Sequence, residues 1–333
     1  MTSRLPHQIA DSISLPVINA PMFLVSSPEL VINSCKSGII GSFPLLNART
    51  SELLEQWMIT ITEQLDSAKQ NDPDAKIAPW AVNLIVHKTN TRFEADMELI
   101  KQYKPPIVIT SLGNPTSVAE MVHEYGGLVY SDVISLDHAR KAAKTGIDGL
   151  ILVCTGAGGH GGTLHPMAFL SAVKEFYDGT VILAGCISTG SDILASQVMG
   201  ADLVYMGTSF IAAKESFAST EYQQMLIQST LENIIYTDAI SGISGNYLTA
   251  SLQQAGYDLD KLKRKETIDL SFSETKAKAW KDIWSAGQGV GAVKDVKPVE
   301  EIVEKLEREY DDALNHVSSY KRNTRQSQLN SVE

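Results

Sequence analysis

Gly149-Leu150-Ile151-Leu152-Val153-Cys154 runs directly into Thr155-Gly156-Ala157-Gly158-Gly159-His160-Gly161-Gly162. The first six residues are an uninterrupted apolar run, which predicts a buried strand. The next eight hold five glycines around one histidine. Such a segment lets backbone come close to a flat or charged partner, and it predicts His160 exposed at the strand's end. After His165-Pro166 a helix is expected to about Tyr177, with Pro166 suited to its first turn. The unit is strand, glycine loop, helix.

The same unit recurs on both sides. Strands are expected at Leu15–Ala20, Gly38–Phe43, Trp80–Ile85, Ile107–Thr110, Gly127–Val133, Val181–Ala184 and Ala201–Met206. Helical stretches separate them, as from Thr50 to Lys69, where Leu53, Leu54, Trp57, Ile61 and Leu65 share one side. A parallel pair needs a crossover helix. Eight strand-then-helix units before residue 215 predict an α/β fold, a closed (β/α)8 TIM barrel. A doubly wound open sheet is the structural rival, and counting leaves it open.

After Glu215 the pattern changes. Residues 216–275 read as a helical insertion after strand 8, a lid over one barrel face, interrupted at Ser241-Gly242-Ile243-Ser244-Gly245-Asn246. The barrel then comprises residues 1–215 and 276–317. Trp280–Gly291 returns to it, Pro298–Leu314 is an amphipathic closing helix, and 318–333 is a polar tail.

Composition narrows the function. A formal charge of -11 argues against a nucleic-acid groove or an anionic membrane surface, since both need clustered Lys and Arg. Cys35, Cys154 and Cys186 are far apart in apolar contexts, so neither a disulfide framework nor a zinc site is expected, and buried reduced thiols fit a cytoplasmic protein. No apolar run is long enough to span a bilayer. A homo-oligomer is compatible with everything in the sequence.

In a barrel of this type the chemistry sits at the C-terminal strand ends. Those ends read Asn19-Ala20-Pro21-Met22, Asn83, Thr110 to Gly113, Ser131-Asp132, Gly156 to Gly162, Gly185-Cys186 and Gly207-Thr208. They carry no clustered carboxylates or histidines at metal-ligand spacing, so no metal is expected. Ala184-Gly185-Cys186 and Met206-Gly207-Thr208-Ser209 lie where barrels cradle phosphate, and glycine N–H groups with a hydroxyl can hold a dianion without Lys. The ordinary alternative is two plain turns with Thr208 as an N-cap. Gly156 to Gly161 also fits GxGxxG, but the helix is delayed to Pro166 and no acidic residue ends the next strand, which weakens a dinucleotide reading. His160 is the candidate general base or acid, with an imidazole near neutral pKa. Asn19, Asn83 and Ser111 are expected to face inward, Met22 to lie against a flat ring, Ser285 to Gly289 to touch the ligand, and Tyr247 to form a wall.

Asn19-Ala20-Pro21-Met22, Ala157 to Gly162, Gly207-Thr208-Ser209-Phe210 and Trp284-Ser285-Ala286-Gly287 together resemble the nitronate monooxygenases, formerly 2-nitropropane dioxygenases. The resemblance runs from about Pro16 to the closing helix. It implies an FMN-dependent barrel acting on a small-molecule substrate and O2. The implied cofactor-binding residues are Asn19, Ala20, Pro21, Met22, Asn83, Ser131, Gly158, Gly159, Ala184, Gly185, Cys186, Met206, Gly207, Thr208 and Ser285. His160 matches the family's catalytic base, which removes the α-proton or assists the oxidation, yielding a carbonyl compound and nitrite. This chain departs from the family at Ser131-Asp132, where Lys is frequent, and at Cys186, where a second glycine is common. A similar scaffold and motif occur in flavin enoyl-acyl-carrier-protein reductases and NADH:quinone reductases, so an NAD(P)H-dependent flavin reductase is the alternative.

Overall fold

The computed structural model describes residues 4–264 and 283–320. Residues 265–275 of the expected insertion, Trp280, and 321–333 of the expected tail lie outside the described residues.

The eight expected strands all form. They are β1 (Val17–Asn19), β2 (Ile40–Pro44), β3 (Trp80–Ile85), β4 (Ile107–Ser111), β5 (Leu128–Val133), β6 (Gly149–Val153), β7 (Thr180–Ala184) and β8 (Leu203–Met206). They pair in sequence order, all parallel, and β1 closes on β8 through Ile18 opposite Tyr205. Closure removes the open-sheet rival and leaves no barrel strand with an unpaired edge.

A short α1 (His7–Ala10) precedes the barrel. The crossovers are α2 (Pro28–Lys36), α3 (Ser51–Asn71), α4 (Phe93–Tyr103), α5 (Thr116–Glu124), α6 (Leu136–Ala142), α7 (Pro166–Val173) and α8 (Gly190–Met199). Side chains stop the chain from extending at several of their starts. Ser27, Thr50 and Ser135 each accept a backbone N–H of the first turn, and Thr189 with Asp192 makes a reciprocal capping box.

The strands' two-residue period sorts the core into layers. Ile18, Ile40, Ala81, Ile109, Tyr130, Ile151, Ile182 and Leu203 fill the barrel interior, joined by Ile9 and Ile13 from the segment before β1. The alternate residues Val82, Val108, Val129, Leu150, Leu152, Val181 and Leu183 pack outward against the helices.

After β8 come a one-turn α9 (Thr208–Ile211) and α10 (Thr220–Gln228). The expected helical insertion then proves to be mixed. An antiparallel hairpin, β9 (Ile234–Thr237) with β10 (Gly245–Leu248), precedes α11 (Thr249–Gln254). The pairs Ile234 with Leu248 and Ile235 with Tyr247 are the cross-strand apolar contacts that hold a hairpin. The expected interruption at Ser241–Asn246 is therefore the end of a turn running into a strand.

The closing helix α12 (Val299–Ser318) fills the eighth crossover position, packed on α8 and α2. Its contact with α8 is made at Gly190. A Cβ there would lie 2.2 Å from Leu306 O and Tyr310 N, and the Gly190 N–H donates to Glu309 Oε2 at 3.0 Å. Gly190→Val is expected to lower the unfolding free energy by about 1–3 kcal/mol, the usual cost of forcing extra methyls into a packed contact. Urea denaturation at fixed pH measures it, and an unchanged midpoint would mean that α12 does not depend on this contact.

Candidate active site

The C-terminal ends of the strands enclose a cavity of about 310 Å³. That is at the small end of the roughly 300–1,000 Å³ usual for small-molecule sites. Which strand residues reach it follows from the two-residue period. Asn83, Asp132, Val153, Ala184 and Tyr205 share the parity of the interior layer and line the cavity. Asn19, Ser131 and Met206 have the opposite parity and do not line it. Asn19 donates from Nδ2 to Ser34 Oγ of α2 at 2.9 Å. Ser131 shares the outward face of Val129 and Val133, and Met206 packs with Val299 and Val303 of α12. The expectation that Asn19 faces inward is corrected accordingly, and the side chains of Ser131 and Met206, implied as cofactor-binding by the resemblance, turn away from the cavity. The other expected residues, Ala20, Pro21, Met22, Gly158, Gly159, Gly185, Cys186, Gly207, Thr208, Ser285 and His160, do come together around the cavity.

The floor is polar. Asn83 Nδ2 donates to Ser111 Oγ at 2.8 Å, and Ser111 Oγ donates to Asp132 Oδ2 at 2.6 Å. Asp132 Oδ1 is buried without a hydrogen-bond partner among the described residues. Burial raises the Asp132 carboxyl from 3.8 to about 6, and the Ser111 bond opposes that rise. Burial, and then the nearby Asp132 charge, push the Tyr205 phenol well above its ordinary value. Composition at strand ends did not single out Asp132 or Tyr205 as ligand-facing. Counting by twos from Tyr130 and Leu203 would have done so.

One side is the glycine cradle. Gly185 has φ +115°, and Cys186 follows in the left-handed region at +58°. Cys186 is exposed to the cavity, not buried as its apolar context suggested. Gly156 makes room for its sulfur, since a Cβ there would sit 2.1 Å from Cys186 Sγ. Thr208 is not an N-cap. Its Oγ1 accepts the N–H of Gly287 at 2.9 Å, which ties β8 to the segment returning from the insertion. No Lys or Arg lines the cavity among the described residues. An anionic group held here would therefore meet backbone N–H groups and hydroxyls.

The rim is aromatic and sulfur-rich. Asn47 donates to Met22 O at 3.0 Å and accepts the Leu24 N–H at 2.9 Å, which fixes the loop carrying Met22 and Phe23. Trp284 stacks on Tyr222 at 5.0 Å with 11° between the rings. The Tyr222 hydroxyl donates to Ser285 O, while Ser285 Oγ is buried without a partner among the described residues. Tyr247, expected as a wall, is fully buried behind the cavity with Ile240, Leu252 and Ile283.

His160 is half-buried rather than exposed, because the hairpin covers its loop. Asn246 Nδ2 donates to Ala157 O at 2.7 Å, Tyr236 donates to Gly161 O at 2.8 Å, and Gly161 N donates to Ser244 O at 3.4 Å. His160 Nε2 lies 2.9 Å from Ser241 Oγ. Desolvation lowers its pKa from 6.5 to about 4, so the ring is neutral at pH 7 rather than partly protonated as a near-neutral pKa would have it.

The family profile described as nitronate monooxygenase matches residues 7–309. The chain belongs to that family. A nitronate monooxygenase of Paraburkholderia phytofirmans is 25% identical over 92% of this chain and 95% of its own length. A probable nitronate monooxygenase of Staphylococcus aureus is 26% identical over 69% of this chain and 74% of its own. Among solved structures, nitroalkane oxidase from Streptomyces ansochromogenes superposes with TM-score 0.78 at 22% identity, covering 93% of this chain and 99% of that one. FabK from Thermotoga maritima gives 0.77 at 22%, covering 96% and 100%. Family membership makes the protein a flavin-dependent oxidoreductase. No helix among the described residues is long and apolar enough to cross a membrane.

Asp132 and His160 set opposite pH dependences. Asp132 has its folded pKa raised, so stability falls as pH rises from 3.8 to about 6 and stays lower above that. His160 has its folded pKa lowered, so stability falls as pH drops from 6.5 to about 4. At pH 7.5 ionised Asp132 costs on the order of 2–3 kcal/mol. Asp132→Asn is expected to raise the melting temperature at pH 7.5, with the gain gone near pH 4. Thermal denaturation at both pH values checks this, and an equal effect at both would remove Asp132 ionisation as its cause.

Proposed function

We propose that the protein is an FMN-dependent oxidoreductase that oxidises alkyl nitronates with O2 to a carbonyl compound and nitrite. The family match over residues 7–309 carries this reading. The cavity supports it. Its polar atoms lacking protein partners, Ser285 Oγ and Asp132 Oδ1, fit a ligand rich in donors and acceptors, and its glycines leave room for a flat ring. Gly185, Gly207 and Thr208 would hold the phosphate, and Met22 and Asn83 would meet the ring system. FMN supplies an electron acceptor that O2 reoxidises.

His160 supplies the proton chemistry in this reading. A neutral imidazole can take the α-proton from carbon beside a nitro group, so that the nitronate anion is the species held. The absence of Lys and Arg from the lining, among the described residues, leaves the nitro oxygens to hydroxyls and backbone N–H groups. The hairpin over the glycine loop excludes water from that side of the ring, which strengthens each of these contacts.

The purified protein is expected to show a flavin spectrum and to release nitrite from an alkyl nitronate under air without NADH. Flavin-loaded protein that releases none would overturn the reading. Rapid bleaching of the flavin by NADH, with no nitronate present, would favour the NAD(P)H-dependent reductase of quinones or enoyl thioesters.

His160→Asn should keep the flavin spectrum and lose at least roughly 10²-fold in nitrite turnover from the neutral nitroalkane, whose α-proton must be removed, the low end of what a positioned base contributes. Near-wild-type turnover would take His160 out of the reaction. The acid limb of kcat/KM assigned to His160 should lie near pH 4 rather than 6.5. A pH–rate profile of wild type against the variant reads it directly.

A further inference from the structure

We infer that Asp132 is a cofactor-binding residue that takes up a proton as FMN enters, so that the loaded cavity has a neutral acid at its floor. This rests on the reading of the cavity as the FMN site.

The geometry leaves a charge at that position uncompensated. Asp132 lies at the C-terminal end of β5 and lines the cavity. Ser111 of β4 donates to its Oδ2 at 2.6 Å, and Oδ1 is buried without a partner among the described residues. The strands around it offer little more. Asn83 of β3 donates from Nδ2 to Ile109 O at 3.2 Å and to Ser111 Oγ at 2.8 Å, so its amide protons are spent on neighbours. The register partner on β6 is the apolar Ile151. From β8 comes the Tyr205 phenol, whose proton the Asp132 charge helps to retain. No Lys or Arg lines the cavity among the described residues.

The remaining titratable groups of the lining are His160, Cys186 and Tyr222. Burial lowers His160 to about 4 and raises Cys186, Tyr205 and Tyr222, so all four are uncharged near neutral pH. Burial raises Asp132 to about 6, which makes it the one lining group among the described residues whose charge changes between pH 5 and 8.

The setting for a carboxylate is poorer still with FMN in place. The phosphate brings further negative charge, and the ring displaces water from the floor. Both penalise the ionised form, so proton and cofactor bind together. The sign follows from linkage. A group whose pKa is higher in the loaded than in the empty protein favours loading at low pH and weakens it as pH rises. The same proton serves the substrate. It removes a negative charge from the lining before an anionic nitronate arrives, which then meets hydroxyls and backbone N–H groups and no opposing carboxylate.

The test titrates the full-length protein, freed of flavin, with FMN at pH 5, 6.5 and 8, and reads Kd from quenching of the flavin fluorescence. The FMN phosphate titrates whichever protein is present, so the quantity compared is the ratio of wild-type Kd to that of Asp132→Asn. The ratio should grow by at least roughly tenfold from pH 5 to pH 8. Calorimetry at pH 7 in two buffers of different ionisation enthalpy counts the protons directly. The wild type should take up roughly half a proton more than the variant on binding FMN. A ratio constant over this range would overturn the inference. So would a ratio that falls, because FMN would then be donating to an ionised Asp132. FMN that binds neither protein at any pH would overturn the cofactor reading itself, and this inference with it.

Discussion

Three backbone segments meet around Gly156–His160 at distances that no side chain allows. A Cβ on Gly158 would lie 2.8 Å from Gly287 N, one on Gly287 would lie 2.8 Å from Gly156 O, and one on Gly245 would lie 2.6 Å from Gly159 O. The loop after β6 is thus pressed between the insertion hairpin and the returning segment. Backbone contact at that range is stiff, because it has no rotamers to relax through. His160, Ser285 and Ser241 sit on those three segments, and so their relative positions are set by main chain rather than by long side chains. A catalytic group on a loop ordinarily has to be steadied by its neighbours. Here the steadying is done by glycines.

The same closure explains the electrostatics. Covering the loop removes water from His160, and an uncharged imidazole is the form that tolerates this. The floor works against itself in a comparable way. Asp132 is held by a single hydrogen bond from Ser111, with its other oxygen unsatisfied, and its charge presses on Tyr205. A carboxylate in so poor a setting is a cost to the fold that packing requirements do not explain. Unfavourable polar groups of this kind gather where a ligand completes the hydrogen bonding. Cys186 adds backbone strain at the same rim, being non-glycine in the left-handed region.

Much of this was legible from residue order alone, and what was not has specific causes. All eight barrel strands were readable because parallel strands buried on both faces are continuous apolar runs, as in Gly149 to Val153. The glycine–histidine loop and the Gly185 and Gly207 turns stood out by composition. The side chains of Asn19, Ser131 and Met206 turn away from the cavity, which was not legible because residue type at a strand end says nothing about which face it occupies. One residue of register separates Ser131, facing the helices, from Asp132, facing the cavity. The hairpin was missed for a different reason. Ile234–Thr237 and Gly245–Leu248 are four residues each, separated by a Ser- and Gly-rich turn, and short runs of that kind look alike as loop, helix or strand. The hairpin is what separates the half-buried, neutral His160 of the structure from the exposed, near-neutral imidazole that its glycine flanks alone predict.

The barrel and the insertion therefore divide the site between them. Asn83, Asp132, Gly185, Tyr205, Gly207 and Thr208 come from the ends of the barrel strands or the turns that follow them. The hairpin reaches only the other half, through the loop that carries His160, and it does so with Ser241, Ser244, Asn246 and Tyr236 rather than with barrel residues. Two relatives could keep the entire cofactor half and still differ in what stands beside the histidine. What stands beside the histidine is consequently set by a hairpin that the barrel did not need in order to close.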